Sequence, residues 1–159
     1  MAGESVTDLE RLVAIEAIGQ LKARYFRACD TKDWDLLASV FTADAVIDFT
    51  AGGSPKLHAE IGTSVAHGPA EAVTWIQGAT RGAVTVHQGY MPEIEVTSPT
   101  TATGIWAMAD HLWYEEGSGS QYREIDAVGH YHETYEKVDG QWLIKVLRLT
   151  RLRSEETPW

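Results

Sequence analysis

The stretch LKARYFRACDTKDWDLLASVFTADAVID, residues 21–48, decides how the remaining chain is interpreted. Its pattern predicts the end of one helix, a tight turn, a second short helix and the start of a strand. It carries a tyrosine, Tyr25, an acid near a helix end, Asp30, and two aromatic residues that could cover a cavity, Trp34 and Phe41. We therefore expect the remaining residues to form a curved sheet around a cavity that faces this stretch.

The composition is that of a globular protein and excludes several function classes. The 159 residues, 44% of them hydrophobic, are enough for a substantial core. A net charge of −10 argues against nucleic acid and anionic membrane surfaces as partners. The single cysteine, Cys29, allows no internal disulfide. No signal peptide is recognised and no stretch approaches the roughly 20 apolar residues of a membrane span, so a cytoplasmic location is expected.

Three helices are predicted before the long strands. Thr7 followed by Glu10 is a capping-box pattern, and apolar residues at spacings of three and four continue from there to Ala28. A turn over residues 30–32 separates this helix from a second one over residues 33–41. Pro69 begins a third helix, which ends near Gly78.

Alternating patterns predict the strands. Residues 45–49 form a short strand, and residues 58–67 form either another short strand or an ordered loop. Four long strands follow, over residues 84–97, 101–114, 122–138 and 141–152, with a bend near Gly89 and Pro92 in the first of them. Asp139-Gly140 is a tight hairpin turn, and the tail from Arg153 is expected to fray.

The order of the elements, helices first and long antiparallel strands afterwards, predicts an α+β fold. We expect a strongly curved, mixed or antiparallel sheet that forms a cone, with about three N-terminal helices enclosing a hydrophobic pocket. Residues 1–159 are expected to form a single domain with its core over residues 8–152.

With these segments placed, the chain resembles the nuclear transport factor 2-like superfamily, in particular its SnoaL-like and scytalone dehydratase-like branch. The residues that carry the likeness are RYFRACDTKDWDLLASVFTADAVIDF (24–49), VHQGYMPEIEV (86–96) and GHYHETYEKVDGQWLIKVLRLTRL (129–152). The resemblance implies a cone-shaped fold that hosts dehydratases, isomerases, cyclases, epoxide hydrolases and proteins with no catalysis.

A closer likeness is to the pattern of bile-acid 7-alpha-dehydratase and scytalone dehydratase. In that pattern a helix-borne tyrosine, an aspartate five residues later, a histidine on a middle strand and an aspartate on the next strand converge in the cone. The corresponding residues here are Tyr25, Asp30, His87 and Asp110. Arg148 corresponds loosely to a basic residue on the last strand.

These side chains suit dehydration next to a carbonyl. His87 would be the acid/base, because histidine gains and loses protons near neutral pH. Asp30 would orient His87, Tyr25 would polarise the carbonyl, and Asp110 would lie near the leaving group. We therefore expect a lyase without a cofactor that acts on a hydrophobic, polycyclic or aromatic hydroxy-ketone. The alternatives are an isomerase or cyclase with the same acid/base residues, and a non-catalytic ligand-binding or assembly domain.

Each candidate also has a purely structural interpretation. Tyr25 continues an apolar stripe, Asp30 could cap the second helix, and His87 could be a hydrogen-bonded core histidine. Asp110 could be an acid at the rim of the sheet. Tyr25 and Asp30 are about 140° apart on an ideal helix, so the helix is expected to end or unwind before Asp30 if both are to reach one cavity.

Further residues are expected to contact the substrate. They are aromatic or apolar side chains and one arginine: Trp34, Phe41, Tyr90, Trp106, Met108, Tyr131 and Arg148. His130 and His132 share a strand face, but no third ligand has a convincing spacing, so neither a metal nor a cofactor is expected. Members of the superfamily commonly associate through the outer face of the sheet, which implies a homodimer or homotrimer.

Overall fold

The computed structural model describes residues 6–52 and 64–159. These ranges contain three helices: α1 (Asp8–Thr31), α2 (Trp34–Ser39) and α3 (Gly68–Ala79). They also contain six strands: β1 (Phe41–Ala51), β2 (Val65–His67), β3 (Ala83–Ser98), β4 (Thr101–Tyr114), β5 (Tyr122–Val138) and β6 (Gln141–Pro158). The α+β class predicted from the sequence is confirmed.

All six strands belong to one mixed sheet with the order β2-β1-β6-β5-β4-β3. β1 runs parallel to β6, and every other neighbouring pair is antiparallel. The sheet is curved and unclosed, and α1 and α3 pack against it, α1 mainly on β3 and α3 mainly on β1. This arrangement confirms the predicted cone and places the end of α1 beside the strand that carries His87.

Helix α1 begins as predicted but ends later. The Thr7 side chain accepts a hydrogen bond from the Glu10 backbone, and Glu10 reaches back to Thr7, which completes the capping box. At the other end the helix continues through Asp30 to Thr31 and stops where Lys32 adopts the left-handed conformation (φ 58°). Asp30 therefore reaches the sheet from the last turn of an intact helix, so the condition under which Tyr25 and Asp30 could share one cavity, a helix that ends or unwinds before Asp30, is not met.

Two other predicted boundaries were wrong. The second helix is shorter than residues 33–41: Asp33 is its N-cap, and Phe41 already pairs with Ile144 at the start of β1. The tail from Arg153 does not fray, because residues up to Pro158 continue β6 alongside the first half of β5. Of the ambiguous stretch 58–67, Val65–His67 is the strand β2, and residues 58–63 lie outside the described ranges.

The core lies between the helices and the inner face of the sheet. Most of the apolar stripe of α1 is buried, including Ile18, Leu21 and Ala28, whereas Leu9 and Leu12 near its start are exposed. The buried part packs with side chains from α3, β1 and β6. Alternation along the strands leaves some large apolar side chains on the outer face, Ile105 and Trp113 among them. None of the helices within residues 6–52 and 64–159 is long and apolar enough to cross a membrane.

Candidate active site

His87 and Asp30 form a hydrogen-bonded pair where α1 meets β3. Asp30 Oδ1 lies 2.6 Å from His87 Nδ1, and Asp30 Oδ2 accepts the His87 backbone N–H at 3.0 Å. Thr85 Oγ1 donates to the same Oδ1 atom at 3.0 Å, and Lys32 donates to Thr85 Oγ1 at 2.9 Å. The ring of Phe26 lies nearly parallel to that of His87, at 14°. The two oxygens of Asp30 therefore fix both the backbone and the ring of His87.

The surroundings of Asp30 favour its ionised form. Partial burial opposes ionisation, but the hydrogen bonds from the His87 ring and backbone and from Thr85 outweigh it, so the pKa of Asp30 lies below its usual value. A carboxylate accepts hydrogen bonds and cannot donate them. In a neutral imidazole it therefore selects the tautomer in which Nδ1 of His87 carries the proton and Nε2 has the free lone pair.

His87 lies in the wall of a cavity with a volume of about 440 Å³. One side is apolar, formed by residues of β1, α3 and β6 that include Phe49, Trp75, Ile76 and Leu149. Phe49 and Trp75 stack with their ring centroids 3.9 Å apart. Polar groups converge on the other side, so the cavity combines an apolar surface with a few oriented polar side chains, as small-molecule sites usually do.

Asp110 is the second carboxylate in this cavity. It is the direct register partner of His87 on the neighbouring strand β4, so the two side chains project from the same face of the sheet. Arg151 donates to Asp110 Oδ2 at 2.7 Å, and a further donor of Arg151 meets the sulfur of Met108 at 3.4 Å. Asp110 Oδ1 is buried and has no hydrogen-bond partner among the described residues. A buried carboxylate oxygen without a donor is costly, so this atom is suited to receive a donor from a ligand.

Tyr131 on β5 lines the cavity, whereas Tyr25 is not among the lining residues. Tyr25 is buried one layer deeper, and its ring meets that of Tyr131 edge to face with a centroid separation of 5.9 Å. Burial raises the pKa of both phenols, and the negative charge of Asp110 adds to this for Tyr131. Both hydroxyls therefore stay protonated at neutral pH, and of these two tyrosines Tyr131 is the one that lines the cavity.

The structure brings together only some of the residues named from the sequence. His87, Asp110 and Tyr131 line the cavity, and Asp30 reaches it through His87. The lining within the described ranges does not include Tyr25, Trp34, Phe41, Tyr90, Trp106, Met108 or Arg148. Among these, Phe41, Trp106 and Met108 are core residues, and Tyr90 is 54% exposed.

Arg151, not Arg148, is the arginine of β6 that reaches the cavity. Arg148 lies opposite His132 in the register of β5 and β6, and it lines a groove on the outer face of the sheet. Leu147 and Leu149 are buried. Because side chains alternate between the two faces of a strand, Arg151 lies on the same inner face as these two leucines. That alternation was the signal in the sequence that could have identified Arg151.

The apolar wall formed by Phe49 and Trp75 was not predicted from the sequence. Trp75 was assigned to a helix and Phe49 to a strand, but nothing in either pattern indicates that the two rings stack.

Within residues 6–52 and 64–159 no group of three or more His, Cys, Asp or Glu side chains is arranged to hold a metal ion. His130 and His132 form a tilted pair, and His132 lies 3.1 Å from the Thr150 hydroxyl.

Comparison with known proteins places the chain in a family. The sequence profile of the SnoaL-like domain matches residues 10–148. The chain is 29% identical over 140 residues to the Probable cyclase FGR4 of Gibberella zeae, which covers 87% of this chain and 91% of that protein.

Solved structures share the fold. A hexachlorocyclohexane dehydrochlorinase, LinA-type3 of Novosphingobium barchaimii LL02, is 22% identical with a TM-score of 0.76 and 94% coverage of each chain. A Novosphingobium aromaticivorans DSM 12444 protein that carries a scytalone dehydratase name is 21% identical with a TM-score of 0.78, over 94% of this chain and 91% of that chain. At these identities the likeness concerns the fold alone. The profile match spans most of the chain, and the chain therefore belongs to the SnoaL-like domain family of the nuclear transport factor 2-like superfamily.

Proposed function

We propose that this chain is a cofactor-independent lyase that dehydrates a hydrophobic aromatic or polycyclic β-hydroxy ketone. The observation that carries the proposal is the His87–Asp30 pair, 2.6 Å apart, in the wall of a cavity of about 440 Å³. Asp30 keeps Nδ1 protonated, so Nε2 of His87 is free to accept a proton. The apolar wall beside Trp75 suits the fused rings of such a substrate.

The polar groups around His87 fit the remaining steps of an elimination. Nε2 of His87 removes the proton next to the carbonyl, and the electrons move to the carbonyl oxygen to give an enolate. Tyr131, in place of Tyr25, donates a hydrogen bond to that oxygen. Asp110 Oδ1 accepts the hydrogen bond of the substrate hydroxyl and so holds it near His87. The imidazolium then returns its proton to this hydroxyl, the C–O bond breaks, water leaves and a C=C bond conjugated with the carbonyl remains.

Arg151 supports this arrangement through Asp110. Its hydrogen bond to Oδ2 compensates the charge of a carboxylate that is almost fully buried. A second bond, from Arg151 Nε to the carbonyl of Gly52, anchors the guanidinium at 3.1 Å. Oδ1 therefore remains directed to the ligand while the other oxygen is held by the protein.

The test is turnover of bicyclic β-hydroxy ketones such as 3-hydroxy-1-tetralone, whose dehydration yields 1-naphthol and can be followed by absorbance. His87→Ala should lower kcat by about 10²- to 10⁴-fold, the usual contribution of a general acid/base, and leave the fold intact. His111→Ala is the matched control, because His111 is also paired with an aspartate, Asp126, but lies away from the cavity. Undiminished turnover in His87→Ala would contradict the proposal.

Two alternatives remain to be separated by experiment. The relative named as a cyclase favours ring closure by an aldol reaction, in which the same base forms the enolate but no water is lost in the first step. The other is a non-catalytic ligand-binding domain. Exchange of the α-protons of 1-tetralone in D₂O, followed by NMR, tests the second alternative: an elimination or cyclisation enzyme catalyses the exchange through His87, whereas a binding domain binds tetralone without exchange. Formation of 1-naphthol from 3-hydroxy-1-tetralone separates the lyase from a cyclase, which would catalyse the exchange without this elimination.

We also propose that the chain forms a homodimer or homotrimer through the outer face of the sheet. The large apolar side chains exposed there, among them Val84, Val86, Ile105 and Trp113, support this arrangement. Light scattering coupled to gel filtration measures the molecular mass, and Ile105→Glu should yield a monomer if this face is the interface.

A further inference from the structure

A second set of charged groups lies entirely within the core, and the proposed reaction does not use it. Lys22 of α1 places its ammonium 2.5 Å from Glu133 Oε1 of β5, and both side chains are buried. The other oxygen of Glu133 accepts the hydroxyl of Tyr135 at 2.5 Å, and Trp106 Nε1 donates to that hydroxyl at 2.8 Å. Trp106, expected from the sequence to contact substrate, belongs to this network instead.

Aromatic rings surround the Lys22 ammonium. It lies 3.6 Å from the ring centroid of Tyr131, 4.1 Å from that of Tyr25 and 4.8 Å from that of Phe26. The shortest of these contacts is to Tyr131, which also lines the cavity. A cation near a ring face attracts it most strongly when both are withdrawn from water, as they are here. The Lys22 ammonium therefore contacts both the carboxylate of Glu133 and the ring of Tyr131.

We infer that Lys22 and Glu133 form a positioning pair for Tyr131, holding its phenol ring so that the hydroxyl points to a carbonyl oxygen in the cavity. A hydrophobic pair of similar volume would fill the same space, often with no loss of stability. Such a pair could not hold a ring by its π face. Phe26 links the Lys22–Glu133 pair to the His87–Asp30 pair, because its ring contacts the Lys22 ammonium and stacks on His87. The inference rests on the proposed donor role of Tyr131.

The test uses a matched pair of ligands, 1-tetralone and tetralin, which differ by one carbonyl oxygen. The ratio of their dissociation constants, from titration calorimetry, measures how well the protein recognises the oxygen. The infrared C=O stretching frequency of bound tetralone measures the strength of the hydrogen bond itself. Neither quantity is expected to change when a variant loses only overall stability.

The main variant is Lys22→Met/Glu133→Gln, which removes both charges together and so leaves no buried ion unpaired. The glutamine oxygen can still accept the Tyr135 hydroxyl. Tyr131→Phe should lower the preference for tetralone about tenfold. The double variant should lower it at least about threefold and raise the C=O frequency. In the Tyr131→Phe background the same double change should have no further effect, because it acts through the missing hydroxyl.

Lys145→Met is the control, since Lys145 also forms an ion pair, with Asp44, but contacts no aromatic ring in the described residues. If the double variant does not fold, Lys22→Arg keeps the ion pair and places a larger planar group against Tyr131, which should also lower the preference. An unchanged ratio and frequency in these variants, with a changed ratio in Tyr131→Phe, overturns the inference alone. An unchanged ratio in Tyr131→Phe overturns the donor role of Tyr131 and the inference with it.

Discussion

Replacing Asp30 by asparagine tests the central pair while keeping the size of the side chain. Asp30 offers two acceptor oxygens, and the His87 ring, the His87 backbone and Thr85 all use them. Asparagine has one acceptor, so its amide N–H₂ must face either a backbone donor or the His87 ring. If it donates to Nδ1, the ring proton moves to Nε2, which can then no longer accept a proton.

The size of the effect follows from the charge lost. With the ring and carboxylate in contact at 2.6 Å, their charge centres are about 4 Å apart, and a pair at that distance near a protein surface interacts by about 4 kcal/mol. The imidazolium formed during the reaction loses this stabilisation, so kcat should fall about 10³-fold in Asp30→Asn. The assay is turnover of 3-hydroxy-1-tetralone, or proton exchange of 1-tetralone. A loss of less than tenfold would refute this account of Asp30.

Two further measurements make the Asp30 variant informative. Asp126→Asn changes the corresponding aspartate of the outer His111 pair and should leave kcat unchanged. Because the pKa of Asp30 is lowered in the folded protein, its contribution to stability is present above the ordinary pKa and is lost as the pH falls through the lower folded value. Denaturant titrations should therefore show that wild type loses part of its stability advantage over Asp30→Asn below about pH 4, near the ordinary aspartate pKa.

Three other predictions concern stability and can be measured by urea unfolding. Arg151→Met should lower the free energy of unfolding by about 3–5 kcal/mol, because it leaves the buried charge of Asp110 without its partner. Arg148→Met on the outer face should change this free energy by no more than about 0.5 kcal/mol. Equal effects would contradict the assignment of the two arginines. Gly129→Ala should destabilise the protein, because the added carbon would lie 2.0 Å from a backbone oxygen of β6. Gly19→Ala, within α1 and with nothing within 4 Å, should stabilise it by about 0.5–1 kcal/mol.

The fold could be predicted from the sequence because the apolar spacing of α1 and the alternation of the long strands are local signals. The pairing of β1 with β6 is not local: about 100 residues separate Phe41 from Ile144, and no short motif encodes a parallel contact at that distance. The frayed tail that was expected after Arg153 has a different cause. The tail pairs with the first half of β5 in the hairpin around Asp139-Gly140, so the predicted length of β5 already called for a longer β6.

Within the site, the side chains whose relative position follows from strand order lie next to each other in the structure. His87 and Asp110 lie on neighbouring strands, and their facing positions follow from a simple hairpin register. That Tyr131 lines the cavity and Tyr25 does not depends on depth in the core, which a helical stripe does not reveal, since both tyrosines are buried. Lys22 was missed for a similar reason: its sequence position resembles that of the exposed basic residues of α1, and its burial follows from Glu133, 111 residues later.

The position of β6 has a consequence for how the protein folds. β6 lies between β1 and β5, so it is the strand that joins the two halves of the sheet, and it comes last in the sequence. The strands β3, β4, β5 and β6 follow one another as local antiparallel pairs, whereas β1 reaches β6 across about 100 residues. Contacts of such long sequence separation form slowly, so docking of β1 on β6 should be a late step in folding. Because Phe49 belongs to β1, the cavity would be completed only in that step, after His87 and Asp30 can already have met.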